Sequence, residues 1–180
     1  SKPVMEGKGL LFKIFADIDV FDIELDATDP DLFVQTVKAM APTFGGINLE
    51  DIKAPEAFEI ERRLKEELDI PVMHDDQHGT AIISSAALLN ALELAKKKIE
   101  KVKIVVSGAG ASAISCATLY WKLGVKRENI FMFDSKGLIH AGRTDIDENK
   151  KVFALHKKDV DFAGAFKKAD VFLGDRKSTR

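Results

Sequence analysis

The feature that most restricts this chain is an alternation. Short apolar runs rich in β-branched and aromatic residues are separated by longer segments in which apolar residues recur at helical spacing. Successive parallel strands need a crossover of a dozen or more residues, usually a helix, and strands covered on both faces read as continuous apolar runs. The alternation therefore predicts an α/β fold built of parallel βαβ units. No internal repeat and no Ser/Pro-rich linker interrupts it.

Strands are expected at Ile18 to Leu25, Thr43 to Asn48, Ile70 to His74, Val102 to Val106, Ile130 to Phe133 ending at Asp134, and Val171 to Leu173. Asp29 and Pro30 supply a helix cap and a first-turn proline for a helix reaching about Met40. Pro55 opens a second helix in which Ile60, Leu64 and Leu68 recur every fourth residue. Its Glu59–Arg63 and Glu61–Lys65 pairs, four apart, read as a solvated face. A long helix from about Gly79, through Ile82, Ile83, Ala86, Leu89 and Leu92 to Lys96-Lys97-Lys98, has the charge of a helix C-terminus and is expected to join two domains. Another helix is expected from Gly110 to about Lys122, and a hairpin around Gly137 to Arg143. The division expected is residues 1–78, a connecting helix at 79–100, and 101–180.

Composition removes several classes of function. Lysine and arginine number 27 against 29 aspartates and glutamates, for a net charge of −2 without long runs of one sign, so neither nucleic acid nor an anionic membrane is an expected partner. No run approaches the roughly 18 apolar residues of a membrane span, and the N-terminus lacks the apolar core of a signal peptide. The single cysteine, Cys116, lies among Ile114, Ala117 and Leu119 and reads as a buried thiol in a reducing, cytoplasmic setting. Tyr120, the lone tyrosine, sits in an apolar helix and reads as core.

Chemistry is expected where strands end, because open parallel sheets collect ligands outside their carboxyl edges. Two consecutive strands end in acids, Asn48-Leu49-Glu50-Asp51 and His74-Asp75-Asp76-Gln77, and both clusters should emerge on one edge. Four carboxylates in one crevice repel one another unless a divalent cation sits between them, and oxygen-only ligands point to Mg²⁺ or Mn²⁺. The competing reading is that Asp51 and Asp76 merely cap helices. His74 and His78 have the spacing of a zinc-protease pair, but Pro71 and β-branched neighbours put His74 on a strand and Asp75 stands where a glutamate is required.

The run Ser107-Gly108-Ala109-Gly110-Ala111-Ser112-Ala113 joins an expected strand to an expected helix. That is the context of a dinucleotide fingerprint: Gly108 for the tight turn, Gly110 for approach to a pyrophosphate, and a small Ala113 for close helix–strand packing. The next strand ends at Asp134, placed to meet the adenosine ribose, while Lys136 could serve a 2′-phosphate, so NAD and NADP both stay open. Lys8 reads from physics alone as a surface lysine; inside the acidic crevice, burial would lower its pKa and a carboxylate or metal would set its protonation.

Four segments, Pro3-Val4-Met5-Glu6-Gly7-Lys8, Phe44-Gly45-Gly46-Ile47-Asn48-Leu49-Glu50-Asp51, His74-Asp75-Asp76-Gln77-His78-Gly79-Thr80-Ala81 and Ser107-Gly108-Ala109-Gly110, resemble in order and spacing the malic enzyme family. The likeness is greatest to its bacterial, NADP-preferring type and extends to about Gly174. The resemblance implies a parallel βαβ metal- and substrate-binding domain followed by a partial Rossmann-type domain. It also implies oxidative decarboxylation of malate to pyruvate and CO2, with NADP or NAD and Mg²⁺ or Mn²⁺, in a full-length protein expected to be a homo-oligomer. By resemblance Glu50, Asp51 and Asp76 are the metal ligands, Lys8 is the general base with Asp75 tuning its charge, and Ala109 to Ser112 hold the cofactor phosphates. The family's proton-donating tyrosine, substrate-binding arginine segment and downstream asparagine loops have no match here, so an internal, catalytically incomplete piece is expected. The rival expectations are a non-catalytic nucleotide-binding or regulatory module and a metal-free two-domain dehydrogenase.

Overall fold

The structure is a computed structural model describing residues 2–53, 55–156 and 160–175. The first half builds on helix α1 (Lys2–Ala16), helix α2 (Pro30–Met40), strand β1 (Ile47–Leu49), helix α3 (Glu56–Glu67) and strand β2 (Val72–His74). Asp29 Oδ1 accepts the Asp31 and Leu32 backbone N–H groups, so α2 starts at the expected cap. Strands β1 and β2 pair in parallel, Ile47 opposite Val72 and Leu49 opposite His74, with α3 as the crossover. Val34, Val37, Leu49, Ile60, Leu64 and Val72 form the core beneath this pair.

Four expectations fail in this half, the first being the strand expected from Thr43, which begins only at Ile47 because residues 41–43 form a tight 3-10 turn after α2. Ile18 to Leu25 carries no strand, and Ile18, Val20, Phe21 and Ile23 are largely exposed. The segment has strand-like composition, but it joins neither free edge of the two-stranded sheet β1-β2 among the described residues. Glu61 is not on a solvated face: it is buried on the inner side of α3, 6% exposed, where its carboxylate is hydrogen-bonded to groups at the end of β2. The long helix begins at Asp75, four residues early, directly after β2, because His74 takes the N-cap position and acids suit a helix's first turn.

That helix, α4 (Asp75–Leu94), leads into strand β3 (Ile104–Ser107), helix α5 (Ala111–Lys122), strand β4 (Ile130–Asp134), strand β5 (Gly137–Leu138), short helices α6 (Glu148–Lys151) and α7 (Phe162–Phe166), and strand β6 (Val171–Gly174). The sheet order is β5-β4-β3-β6, with β3 parallel to both β4 and β6 and β5 antiparallel to β4. The hairpin therefore turns between β4 and β5, earlier than expected, at Ser135 and Lys136. Period-two alternation buries both faces of the sheet. Ile104, Val106, Ile130 and Met132 face a core shared with Ala81, Leu88 and Leu92 of α4 and Ala113, Ala117 and Tyr120 of α5, while Val105 and Phe133 face a second core with Leu138, Leu155 and Ala165. Cys116 and Tyr120 are core residues, as expected. Among the described residues no helix is long and apolar enough to cross a membrane.

Candidate active site

The parallel register of β1 and β2 brings both acidic strand ends to one edge. Leu49 lies opposite His74, so Glu50 and Asp51 leave β1 beside Asp75 and Asp76 of α4's first turn. One carboxylate oxygen from each of Glu50, Asp51 and Asp76 lies within 4.8 Å of the others. Asp51 holds a left-handed backbone, φ +57°, a conformation that costs a non-glycine residue and concentrates at functional positions. None of the three caps a helix: α4 has His74 and α3 has Pro55 at the N-cap, neither with a side-chain cap bond. At an effective dielectric near 20, two carboxylates at that separation repel by roughly 3 kcal/mol. The donor set is hard oxygen, and the buried Glu50 Oε2 accepts no hydrogen bond among the described residues, so the three side chains fit an Mg²⁺- or Mn²⁺-sized cation.

Lys8 projects from α1 into this cluster. Its Nζ lies 2.7 Å from Glu50 Oε2, an ion pair outside hydrogen-bond geometry, and it donates a hydrogen bond to Asp75 Oδ2. Its pKa is raised, opposite to the expectation from burial alone. Partial burial is the largest single effect and pulls it down, but Asp75 and Glu50 together outweigh that pull. A cavity of about 1010 Å³ opens between α1, the segment after it, and β1, and reaches the acidic edge at Lys8, Asn48, Glu50 and Asp51.

Glu61 is a residue the sequence reading missed. Its Oε1 accepts the His74 backbone N–H at 3.1 Å and lies 2.8 Å from Lys65 Nζ, while His78 Nε2 is 2.9 Å from Oε2. Desolvation pushes its pKa up, but Lys65 and His78 outweigh it, and the carboxyl stays below its ordinary value. The His74 ring is fully buried with no partner for either nitrogen among the described residues, and His78 turns to Glu61, so the two rings share no zinc-type site.

The second candidate element lies at the carboxyl end of β3, where the sheet extends to β4 on one side and β6 on the other, the crevice at which such sheets take ligands. Gly108 has φ +121°, the turn that requires glycine. Gly110 is the N-cap of α5 without a side-chain cap bond, and a Cβ there would meet nothing closer than Asp175 Oδ2 at 3.9 Å, leaving the backbone approachable. Ala111 and Ser112 form the first turn, and Ala113 is fully buried against the sheet. These features fit a dinucleotide pyrophosphate. Asp175, at the end of β6, accepts the Ala113 N–H at 3.0 Å, and burial pushes its pKa up; residues 176–180 lie outside the described residues.

Asp134 stands at the end of β4 as expected, but its carboxylate is held in the fork of Arg143 at 2.8 and 2.9 Å. Arg143 also donates to Asp145, which pairs with Lys136 at 2.7 Å. Burial opposes ionisation of Asp134, yet Arg143 holds its pKa below the ordinary carboxylate value. Arg143 too escaped the sequence reading, which had placed it in a hairpin arm.

Comparison with known proteins agrees with this geometry. Residues 1–65 match the family description "Malic enzyme, N-terminal domain" and residues 77–172 match "Malic enzyme, NAD binding domain". The chain is 59% identical over 175 residues to an NAD-dependent malic enzyme of Rhizobium meliloti (strain 1021), and 57% identical over 176 residues to an NADP-dependent malic enzyme of Haemophilus influenzae. Each alignment covers 97% of this chain and 23% of the relative, so the chain spans about a quarter of those relatives' length. The crystal structure of an NAD-dependent malic enzyme from Thermotoga maritima superimposes with a TM-score of 0.90 at 44% identity, covering 98% of this chain and 48% of that one. The Entamoeba histolytica malic enzyme does so with a TM-score of 0.89 at 41% identity, over 95% and 38%. The chain belongs to the malic enzyme family.

Proposed function

We propose that this chain contributes the metal- and cofactor-binding centre of an enzyme that oxidatively decarboxylates malate to pyruvate and CO2 with NAD or NADP. In this reading residues 1–78 hold metal and substrate, 79–100 connect, and 101–180 bind the dinucleotide. The observation that carries it is the convergence of Lys8, Glu50, Asp51, Asp75 and Asp76, drawn from three separate elements, at one sheet edge.

Glu50, Asp51 and Asp76 would hold the divalent cation. When bound, it supplies Lewis-acid stabilisation of negative charge on the substrate oxygens, and the nicotinamide supplies the hydride acceptor. Lys8 would take the proton from the malate hydroxyl at C2 as the neutral amine, a form it reaches only when the Glu50 charge that helps hold its pKa up is engaged by the cation instead, and loss of that hydroxyl proton makes departure of hydride from C2 easier. Asp75 orients the Lys8 amine and balances its charge once protonated. Gly108 to Ala113 would hold the cofactor phosphates at the start of α5, and Asp134 would meet the adenosine ribose with a carboxylate already oriented by Arg143. Met5, Phe12 and Phe44 give the cavity beside the acidic edge an apolar lining.

The test uses the full-length protein that carries this chain. Malate, Mn²⁺ and NAD or NADP should yield reduced cofactor and pyruvate in equal amounts, and Lys8→Ala should abolish turnover while leaving dinucleotide affinity intact. Retained turnover in that variant, or Mn²⁺ binding unchanged in Glu50→Ala, would remove those residues from the mechanism.

A further inference from the structure

Glu61 shares α3 with Glu59 and Glu66, which are exposed, yet it alone of the three points into the protein. Besides Lys65, its hydrogen bonds go to residues on either side of Asp75 and Asp76: the His74 backbone N–H at 3.1 Å, before them, and His78 Nε2 at 2.9 Å, after them. Helix α4 has no side-chain cap of its own, so an acceptor for its N-terminus comes from a different helix. Lys65 Nζ, 2.8 Å from Oε1, offsets the cost of holding that carboxylate out of water.

We infer that Glu61 is a positioning residue for the metal centre: by tying both ends of the first turn of α4 to α3, it holds Asp76 within reach of the cation shared with Glu50 and Asp51. This rests on the metal reading given above. The argument is geometric. Asp76 stands in the first turn of α4, and besides Glu61 that turn is held by the three-residue pairing of β2 with β1, by the Lys8–Asp75 hydrogen bond, by the buried Gln77 and by its own helix. Residues one step behind metal ligands typically change metal affinity by about 10- to 100-fold when removed.

The test is Mn²⁺ titration by calorimetry on the full-length protein, with a dinucleotide titration and a thermal melt on each variant. Glu61→Ala should bind Mn²⁺ about 10- to 100-fold more weakly, with dinucleotide affinity changed by less than about twofold because the hydrogen bonds of Glu61 go to Lys65, His74 and His78 and not to Gly108 to Ala113. Glu61→Gln, which keeps an acceptor oxygen for the His74 N–H, should recover most of the loss. Leu64→Ala removes a fully buried neighbour on the same helix; it should lower the melting temperature while leaving Mn²⁺ affinity near that of the parent. If Glu61→Ala does not fold, His78→Ala removes the other half of the tie at a part-exposed position and should weaken Mn²⁺ in the same direction. A folded Glu61→Ala or His78→Ala variant with parental Mn²⁺ affinity overturns the inference, as does Leu64→Ala weakening Mn²⁺ equally. Asp76→Asn separates the two readings: if it binds Mn²⁺ like the parent the metal reading falls, whereas its loss of Mn²⁺ beside an unaffected Glu61→Ala removes only the role of Glu61.

Discussion

Replacing Gly79 with alanine adds one methyl group, and the structure specifies where that group lands. It would fall on Oδ1 of Asp75, one helical turn back, and lie 3.0 Å from its Cγ. Carbon atoms rest about 3.5–4.0 Å apart, so the carboxylate must retreat by roughly 0.5–1 Å. A shift of that size rotates Asp75 Oδ2 away from its present alignment with Lys8, in a charged hydrogen bond whose strength depends on that alignment. A bond of this kind contributes about 1.5–3 kcal/mol when dry. With Lys8 and Asp75 side chains 24% and 32% exposed, screening leaves about half of that. Alanine in a helix interior returns about 1 kcal/mol relative to glycine, so net stability should hardly move. Turnover should fall by about 100-fold, the usual consequence of a 1 Å misplacement at a reacting centre. Steady-state kinetics and a melt on full-length protein measure both quantities. Because the fault acts through Asp75, Asp75→Ala with Gly79→Ala should be no slower than Asp75→Ala alone. Parental turnover in Gly79→Ala, or additive losses in the double variant, would show that the added methyl group does not act through Asp75.

Gly108→Ala places a Cβ on a residue at φ +121°, which costs more than about 1 kcal/mol and reshapes the turn, so dinucleotide affinity measured by calorimetry should fall by about tenfold or more. Asp175→Ala frees the Ala113 N–H and removes a negative charge from the first turn of α5, worth about 0.3–1 kcal/mol, and should tighten dinucleotide binding severalfold; unchanged affinity would show that the carboxylate does not compete. Asp134 has a depressed pKa in the folded protein, so its contribution is fully present above the unfolded carboxylate value of about 4 and is lost as pH falls through the folded value. The stability gap between parent and Asp134→Asn in urea unfolding should therefore hold from about pH 7 to pH 5 and close below about pH 4, and a gap that widens on acidification contradicts the Arg143 pairing.

The elements legible in the sequence are those whose signal is local. Asp29 and Pro30 mark a helix start by chemistry confined to one turn, and Gly108 through Ala113 announce a strand–turn–helix by small residues at fixed spacing. The two acidic strand ends became informative as a pair, because parallel register brings neighbouring strand ends together. Ile18 to Leu25 misled because a strand is defined by its partner, and composition does not say whether a partner exists. Glu61 and Arg143 were hidden for the opposite reason. Glu61 has an ideal local partner in Lys65, and Arg143 sits in a polar stretch, so nothing nearby revealed the distant groups, His74, His78 and Asp134, that each reaches.

Strand β2 passes into α4 without an intervening residue. At about 1.5 Å per residue, the 20 residues of α4 form a rod about 30 Å long. Asp75 and Asp76 stand at one tip, and Leu88 and Leu92 are set in the core beneath the four-stranded sheet toward the other. A rod anchored at its far end is a lever, and a 5° swing about that end carries the tip through about 2.5 Å, longer than a metal–oxygen bond of about 2.1 Å. The packing of Ala81, Leu88 and Leu92 against the four-stranded sheet therefore also sets the spacing of the acidic edge, because a tilt of α4 by a few degrees would move Asp76 by more than one such bond length.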